Sequence, residues 1–449
     1  MSLLALLLAA PMLIRGPVVV GVGPDRASIT WETSDRQQNG TVRFGTAAGV
    51  YPGSAQDSSY TEHHHVELTG LLPSTAYHFA IDTDASAEDS GFTTAPAAGS
   101  RAPFKFVVYG DNRTQLAPHQ AVVSAIRAEP GVSFLVHTGD MAENTSPLNL
   151  GWDNFFAIEH DLLRSKPIFT VVGNHETLTD GLSHYAQFFA APTFSWPTGT
   201  VKYGSADWGN AHFVLLDTFD SSLPGSEGLS GAQVEWMKAD LDAARAAGRQ
   251  IFAVMHHGPY SHSNHGPYLE AQQLVVPALL AHGARAIFQG HDHVYERGCG
   301  GGLDYFIAGG GGAPLYSVDL NGEGVRRGVA DYSYLVVTID GELATAEAKL
   351  TDGGVIERVA LPSGTCGAAA DGGSLDGGPV DGGANGDAGA NGDAGANGDA
   401  GVIQPNPLNG GCSCGTGPAA AFGWLPLAAV LLFLHARRSR LGRPSPPVS

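Results

Sequence analysis

Five short polar clusters recur through the middle of this chain: GDNR around Asp111, GDMAEN around Asp140, GNHE from Gly173, HHGPY from His256 and GHDH from Gly290. Together they offer Asp111, Asp140, Asn174, His256, His291 and His293 as metal donors. Carboxylate oxygens mixed with imidazole nitrogens suit manganese, iron or zinc, whereas calcium and magnesium sites draw almost wholly on oxygen. One carboxylate shared by two such ions lets them sit ~3.5–4 Å apart and clamp the attacking and leaving oxygens of an in-line phosphoryl displacement. A lone GD or GNH is common, and an isolated histidine is more often part of a core. Five such clusters, in order and each closing an apolar run, define a metal-centre expectation. Glycine precedes most of the donors, and its freedom at positive φ lets the backbone turn sharply there.

The apolar runs are 104–109, 134–137, 168–172, 251–255 and 286–288, with a further one at 212–217. Each reads as a buried strand emptying into a polar loop. Helical stretches intervene, among them 120–128 and the amphipathic 231–247. The alternation predicts an α/β layered domain over residues 103–362, with its site outside the carboxyl ends of the strands. Residues 14–98 read differently. Short alternating runs at 28–32, 41–44, 66–68 and 77–81, parted by Gly-Pro, Pro-Gly and Pro-Ser turns, predict a small all-β sandwich with Trp31 in its core. His63, His64 and His65 alternate sides of an extended chain, do not easily share one ion, and are expected in a solvated loop.

With these residues in place, the chain resembles the calcineurin-like metallophosphoesterases, and among them the purple acid phosphatase branch. GHDHVYER is close to that branch's GHVHAYER, and a β-sandwich is its usual N-terminal companion. The run LTGLLPSTAYHFAI is similar to the late strands of fibronectin type III domains, with Tyr77 in the tyrosine-corner position. The resemblance implies an α/β fold: a metallophosphoesterase β-sandwich flanked by helices, preceded by a small all-β fibronectin type III-like sandwich. It also implies two divalent or mixed-valence ions of Fe, Mn or Zn. Carried over by position, it makes Asp140 the bridging ligand, completes the second metal site with Asn174, His256 and His291, and gives Asp111 and His293 to the first. His175 would contact the phosphate and stabilise charge as the leaving oxygen departs. His262 and His265 fall where the family places substrate-facing histidines, and the spacing favours His265.

Two positions depart from the family. Arg113 stands where many members have the histidine of a D-x-H motif, and Glu143 stands where the purple acid phosphatases supply a tyrosinate. No tyrosinate-to-iron charge-transfer colour is therefore expected. Glu143 either coordinates the first metal, directly or through water, or turns aside; coordination is the preferred reading. Arg113 is either a structural salt-bridge partner or a guanidinium fork on a phosphate oxygen. Tyr295, Glu296 and Arg297 are expected to brace the His-x-His loop, and glycines 309–312 to form a tight turn beneath the metal loops. Cys299 and Cys366 can form a disulfide in an exported protein.

Both ends of the 449-residue chain read as processed. Residues 1–13 begin with a signal-like apolar run ending in Ala9 and Ala10, although no Lys or Arg precedes it. Residues 363–411 are mostly Gly, Ala, Asp and Asn, with three copies of ANGDAG from Ala384, Ala390 and Ala396, and have no aromatic residue with which to build a core. They read as an acidic spacer. Residues 412–443 join Cys412 and Cys414 to an apolar stretch and then Arg437, Arg438, Arg440 and Arg443. This order resembles the C-terminal sorting segment of myxobacterial surface proteins, which implies export and sorting machinery as partners, a membrane contact through the segment, and display at the cell surface or release from it. The 24 basic against 44 acidic residues, a net charge of −20, exclude a broad grip on nucleic-acid backbone. The function expected is hydrolysis of small phosphomonoesters by in-line attack of a metal-bound hydroxide. A phosphodiesterase acting on nucleotides or phospholipid headgroups, and a catalytically impaired surface binding protein, are the alternatives.

Overall fold

The computed structural model describes residues 12–82, 90–143, 149–179, 182–189, 202–220, 227–362 and 366. The first eleven residues of the signal-like start, the spacer apart from Cys366, and the arginine-flanked segment lie outside the described residues. Among the described residues no helix is long and apolar enough to cross a membrane.

Seven strands come first: β1 (Leu13–Val20), β2 (Arg26–Gln38), β3 (Thr41–Gly45), β4 (Gly53–Gln56), β5 (Tyr60–Thr69), β6 (Ala76–Ile81) and β7 (Ser90–Thr93). Strands and helices then alternate through β8 (Phe104–Tyr109), α1 (Leu116–Ala128), β9 (Val132–His137), α2 (Asn149–Leu163), β10 (Ile168–Thr170), α3 (Asn174–Thr179) and α4 (Ser183–Phe189). Next come β11 (Gly204–Trp208), β12 (Ala211–Leu216), α5 (Gly231–Ala246), β13 (Gln250–Met255), α6 (Leu269–Leu274), α7 (Val276–Ala281) and β14 (Ala286–Gln289). The last described strands are β15 (Tyr295–Gly300), β16 (Leu303–Ala308), β17 (Val325–Val329), β18 (Ser333–Asp340), β19 (Leu343–Leu350) and β20 (Val355–Ala360).

Two large sheets pack face to face. One has the order β20-β19-β18-β8-β9-β10-β1-β2-β5 and the other β11-β12-β13-β14-β16-β15-β17. Aromatic rings fill the space between them: Phe106 of β8 meets Phe213 of β12 edge-on at 5.1 Å, and Phe134 of β9 meets Trp208 of β11 at 4.6 Å. On the outer face of the second sheet, Met237 and Leu241 of α5 and Leu279 of α7 pack with Val214, Leu216 and Ile251. The first sheet is covered from α1 and α2 by Val122, Ile126, Trp152 and Phe155. Strands buried on both faces have no polar alternation to show, so they read as unbroken apolar runs.

The N-terminal strands form the expected all-β domain of two sheets, β1-β2-β5 and β4-β3-β6-β7, but the first of these sheets is not separate from the rest of the chain. Strands β1, β2 and β5 continue the first large sheet, because β1 runs parallel to β10 with Val20 opposite Ile168. The four-stranded sheet β4-β3-β6-β7 is the second layer of that domain, and its Val42, Phe79 and Phe92 share a core with Val18, Ile29 and Trp31. Side chains reinforce the seam: Thr30 Oγ1 donates to Phe188 O at 3.0 Å, and Arg15 pairs with Asp153 of α2 at 2.6 Å and with Glu32. Trp31 is buried as expected, and the Leu72 N–H donates to Tyr77 Oη at 3.0 Å, a corner bond five residues upstream.

The histidine triplet is a correction. His63, His64 and His65 lie in β5, paired with Glu32, Trp31 and Thr30 of β2, and form no solvated loop. His64 is buried and stacks on Trp31 with ring centroids 4.9 Å apart and planes 23° apart. A neutral imidazole offers a flat face to the indole, so composition alone misjudged its burial.

Candidate metal centre

The five polar clusters converge at the carboxyl ends of β8, β9, β10, β13 and β14. Ligand atoms of Asp111, Asp140 and His256 all lie within 4.8 Å of one another, and all three residues are buried. His256 is oriented by its Nδ1–H, which donates to Thr138 O at 2.7 Å and turns Nε2 toward the site. That nitrogen lies 3.1 Å from Asn174 Oδ1, 3.1 Å from His291 Nδ1 and 3.4 Å from Asp140 Oδ1. Two nitrogens and two oxygens thus face one point, a set that fits Mn, Fe or Zn. On the other side of Asp140, His293 Nδ1–H donates to Pro314 O at 2.7 Å, which leaves its Nε2 3.8 Å from Asp111 Oδ1.

The chain turns at the donors themselves. Asp111, Asp140 and His291 have φ of 56°, 57° and 71°, and Thr114 beside them has 78°. These are four of the seven non-glycine residues at positive φ among the described residues, so backbone strain is concentrated at this centre. Of the preceding glycines only Gly139 is at positive φ. Gly173 and Gly290 are needed for space: a Cβ there would collide with Asp140 Oδ1 and Asp111 Oδ2 respectively. The sharp-turn role expected of the glycines therefore belongs mainly to the ligands. Glycines 309–312 do pack beneath the loops, with Gly311 N–H donating to Gly110 O at 3.0 Å and Ala313 N–H to Asp111 O at 2.8 Å.

The charges are unequal. Burial, with the charge of Asp140 nearby, pushes the Asp111 carboxyl well up. Burial alone would raise Asp140 too, but His256, His175 and Arg113 hold it well below the usual range. His256 is raised to about 9: burial opposes its charge and Asp140 with Asp111 outweighs it. Burial and the neighbouring His256 and His257 push His291 well down, and burial takes His293 to about 4. The charge of Asp140 is thus balanced within the chain by His256 on one side and Arg113 on the other.

Several supports escaped sequence reasoning. Glu176, the last letter of GNHE, is buried and accepts from the backbone N–H groups of Gly173, Asp140 and Met141 at 2.8, 2.9 and 2.9 Å. It pins two donor loops together, and an acid in the first turn of α3 was the available signal. Glu159 on α2 is buried as well and receives Tyr109 Oη at 3.1 Å, His119 Nε2 at 2.9 Å and Asn112 Nδ2 at 3.3 Å. Nothing in its apolar helix announced it. Asp292, the middle residue of HDH, accepts from His265 N–H at 2.9 Å and from Ser261 Oγ at 2.5 Å, tying the loop after β13 to the His-x-His loop.

The remaining expected site residues divide. His265 lies against His291, ring centroids 4.0 Å apart, and Tyr316, also missed, stacks on His293 at 4.2 Å and meets His265 at 5.6 Å. His262 is held by buried Glu296, which faces its Nδ1 at 3.1 Å, so Glu296 braces this loop. Tyr295 and Arg297 turn instead to Glu357, at 2.9 and 2.7 Å. His175 at the rim reaches both Asp140 Oδ2 at 3.8 Å and Glu143 Oε1 at 3.3 Å. Arg113 donates through Nε to Asp140 Oδ2 and through Nη1 to Glu143 Oε2, both at 3.0 Å. Glu143 also accepts from Thr114 Oγ1, and hydrogen bonding by His175 and Thr114 with the charge of Arg113 outweighs burial and lowers its carboxyl to about 2. Cys299 and Cys366 are disulfide-bonded, with Cα atoms 5.8 Å apart.

Residues 104–295 match the calcineurin-like phosphoesterase family. The chain carries a metallophosphoesterase domain. Residues 18–96, ahead of the metallophosphoesterase domain, match the N-terminal domain of purple acid phosphatases. The chain is similar to probable purple acid phosphatase 20 of Arabidopsis thaliana, 27% identical over 298 residues that cover 62% of this chain and 67% of that one. Purple acid phosphatase 18 of the same plant is 24% identical over 294 residues, 61% of this chain and 64% of its own length. These matches place the metallophosphoesterase domain among metal-dependent phosphoester hydrolases. Two solved structures share the fold: the purple acid phosphatase PPD1 from yellow lupin (Lupinus luteus) seeds, with a TM-score of 0.63 at 17% identity over 78% of this chain and 74% of that one, and PhoD, with 0.59 at 12% over 76% and 88%.

Proposed function

We propose that the protein hydrolyses small phosphate monoesters outside the cell. The observation that carries this reading is the convergence of Asp140, Asn174, His256 and His291 on one point at the strand ends. Asp140, Asn174, His256 and His291 would hold a metal ion there, which would supply Lewis acidity and lower the pKa of a water toward ~7. The chain's own groups do the rest. Asp140 is kept anionic by His256, His175 and Arg113. His175 is fixed to the loop by its backbone N–H, which donates to Asp140 Oδ1 at 3.0 Å, and its ring, turned to Glu143 Oε1 at 3.3 Å, stands where it can stabilise charge on the departing oxygen. His265 and Tyr316 form the wall over His291 and His293, with a ring face suited to an aryl or sugar leaving group.

Export and surface display rest on the signal-like start, the Gly/Asp/Asn spacer and the arginine-flanked segment. The disulfide between Cys299 and Cys366 suits an oxidising compartment. Purified protein should be assayed on aryl phosphate monoesters and diesters with Mn, Fe or Zn, beside metal analysis. Turnover of monoesters above diesters supports the reading. The reverse order makes the protein a phosphodiesterase, and metal uptake with no turnover of either makes it a binding protein. Deleting the residues after Gly411 should release active enzyme to the medium; intact chain confined to the host cytosol would refute export.

A further inference from the structure

The half of the centre that would hold the first ion already contains a cation. Arg113 leaves β8 two residues after Asp111, and the positive φ of Asp111 and Thr114 folds this short segment back over the strand ends. Its side chain is 14% exposed and lies between the donors of the first site. Nε donates to Asp140 Oδ2 at 3.0 Å, and Nη2 faces His293 Nε2 at 3.4 Å. Three of the four donors expected for the first ion, Asp140, His293 and Glu143, therefore already face guanidinium nitrogen. Asp140 keeps its bridging geometry, with Oδ1 turned to His256 at 3.4 Å and Oδ2 to the arginine.

Glu143 completes the arrangement. Its Oε2 accepts from Arg113 Nη1 at 3.0 Å and from Thr114 Oγ1, so the carboxylate anchors the outer end of the guanidinium. The two departures of this sequence from its family, at 113 and 143, are thus one ion pair in space. A guanidinium is planar, permanently charged and shaped to fork between carboxylates. An ion at this position would have to displace it from two anions at once, and breaking partly buried pairs of that kind is costly. Cation and arginine compete for the same oxygen of Asp140 and the same nitrogen of His293.

We propose that the Arg113 guanidinium permanently takes the place of the first metal ion, so that this is a one-metal phosphoesterase in which Asp140 bridges an ion and an arginine. Glu143 is then the anchor of Arg113 and no metal ligand. The inference rests on the metallophosphoesterase reading and deepens it.

The test is a metal count on the intact, disulfide-bonded protein. After chelation, excess Mn²⁺ and desalting, elemental analysis should find one ion per wild-type chain, with the six-line electron paramagnetic resonance spectrum of an isolated Mn²⁺. Arg113→His should raise the count to two and give the exchange-coupled spectrum of a pair. Arg113→Asn, which removes the cation without adding a strong ligand, should bind a second ion more weakly than Arg113→His does. Two ions in wild-type protein would overturn the inference and leave the phosphoesterase reading intact. A folded Arg113→His protein that still binds one ion would also overturn it. No ion in wild-type protein would overturn both.

Discussion

On one side of Asp140, Asn174 and His291 turn their donor atoms toward His256 Nε2; on the other, Arg113 faces both Asp140 and His293 and is anchored from outside by Glu143. The same elements build both sides. A strand ends, a donor sits at strained φ, and a glycine or a buried acid beneath it keeps the loops close. The difference lies in two side chains placed 30 residues apart in sequence. A family scaffold can therefore retain its donor loops while exchanging the charge that one of them holds.

The sharpest way to break this comparison is to remove the residue both sides share. Asp140→Ala should abolish metal retention and lower turnover by on the order of 10³-fold or more, as read by elemental analysis and an aryl phosphate assay. Wild-type turnover in that variant would end the claim that the two sides share a bridge. Glu176→Gln tests the support beneath the donor loops after β9 and β10: metal affinity should fall by roughly 10–100-fold with the fold retained, measured by competition with a chelator dye.

Asp217 lies on the same rim, after β12, but joins neither side. Burial raises its carboxyl to about 7. A raised folded-state pKa contributes stability that is full below the ordinary value near 4 and is lost as pH rises through about 7. Wild-type stability should accordingly decline across that window by at most about 4 kcal/mol, and Asp217→Asn should flatten the decline. Urea melts at pH 4.5, 6 and 7.5 would show it, and an unchanged slope in the variant would remove Asp217 as its source. The smallest effect is expected at Glu143. Glu143→Gln should leave the number of ions per chain unchanged, because the carboxylate holds Arg113, and lower turnover only several-fold. Loss of an ion would make Glu143 a ligand and return the two sides to equivalence.

Much of this was legible in the sequence, for physical reasons that differ by region. The strands β8, β9, β12, β13 and β14 were readable because both faces are buried and most positions are apolar. Their donor loops were readable because each carries an Asp, Asn or His beside glycine. The joining of β1 to β10 left no comparable mark: a parallel pair made by main-chain groups, with Val20 opposite Ile168, looks like any other strand contact. His64 misled because imidazole stacks as easily as it solvates. Glu159 acts through hydrogen bonds to residues 40–50 positions away, and Glu176 through bonds to the loop 35–36 residues upstream, so their types named the residues but not the task. At Arg113 and Glu143 the departures from the family were visible, but only the fold brings their charges within 3.0 Å of each other.

The seam between β1 and β10 has a further consequence. Strand β10 is three residues long, Ile168, Phe169 and Thr170, all buried, with β9 on one side and β1 on the other. Cut away the first hundred residues, and that ribbon becomes a naked border of unpaired main-chain N–H and C=O groups, with Phe188 uncovered beside it. Such a border is a template for a second copy of the chain. The N-terminal strands thus act as a selvedge that keeps the fabric of the hydrolase from knitting onto its neighbours, whatever else they bind. Shortened forms of this protein would be expected to precipitate before they lose their catalytic geometry.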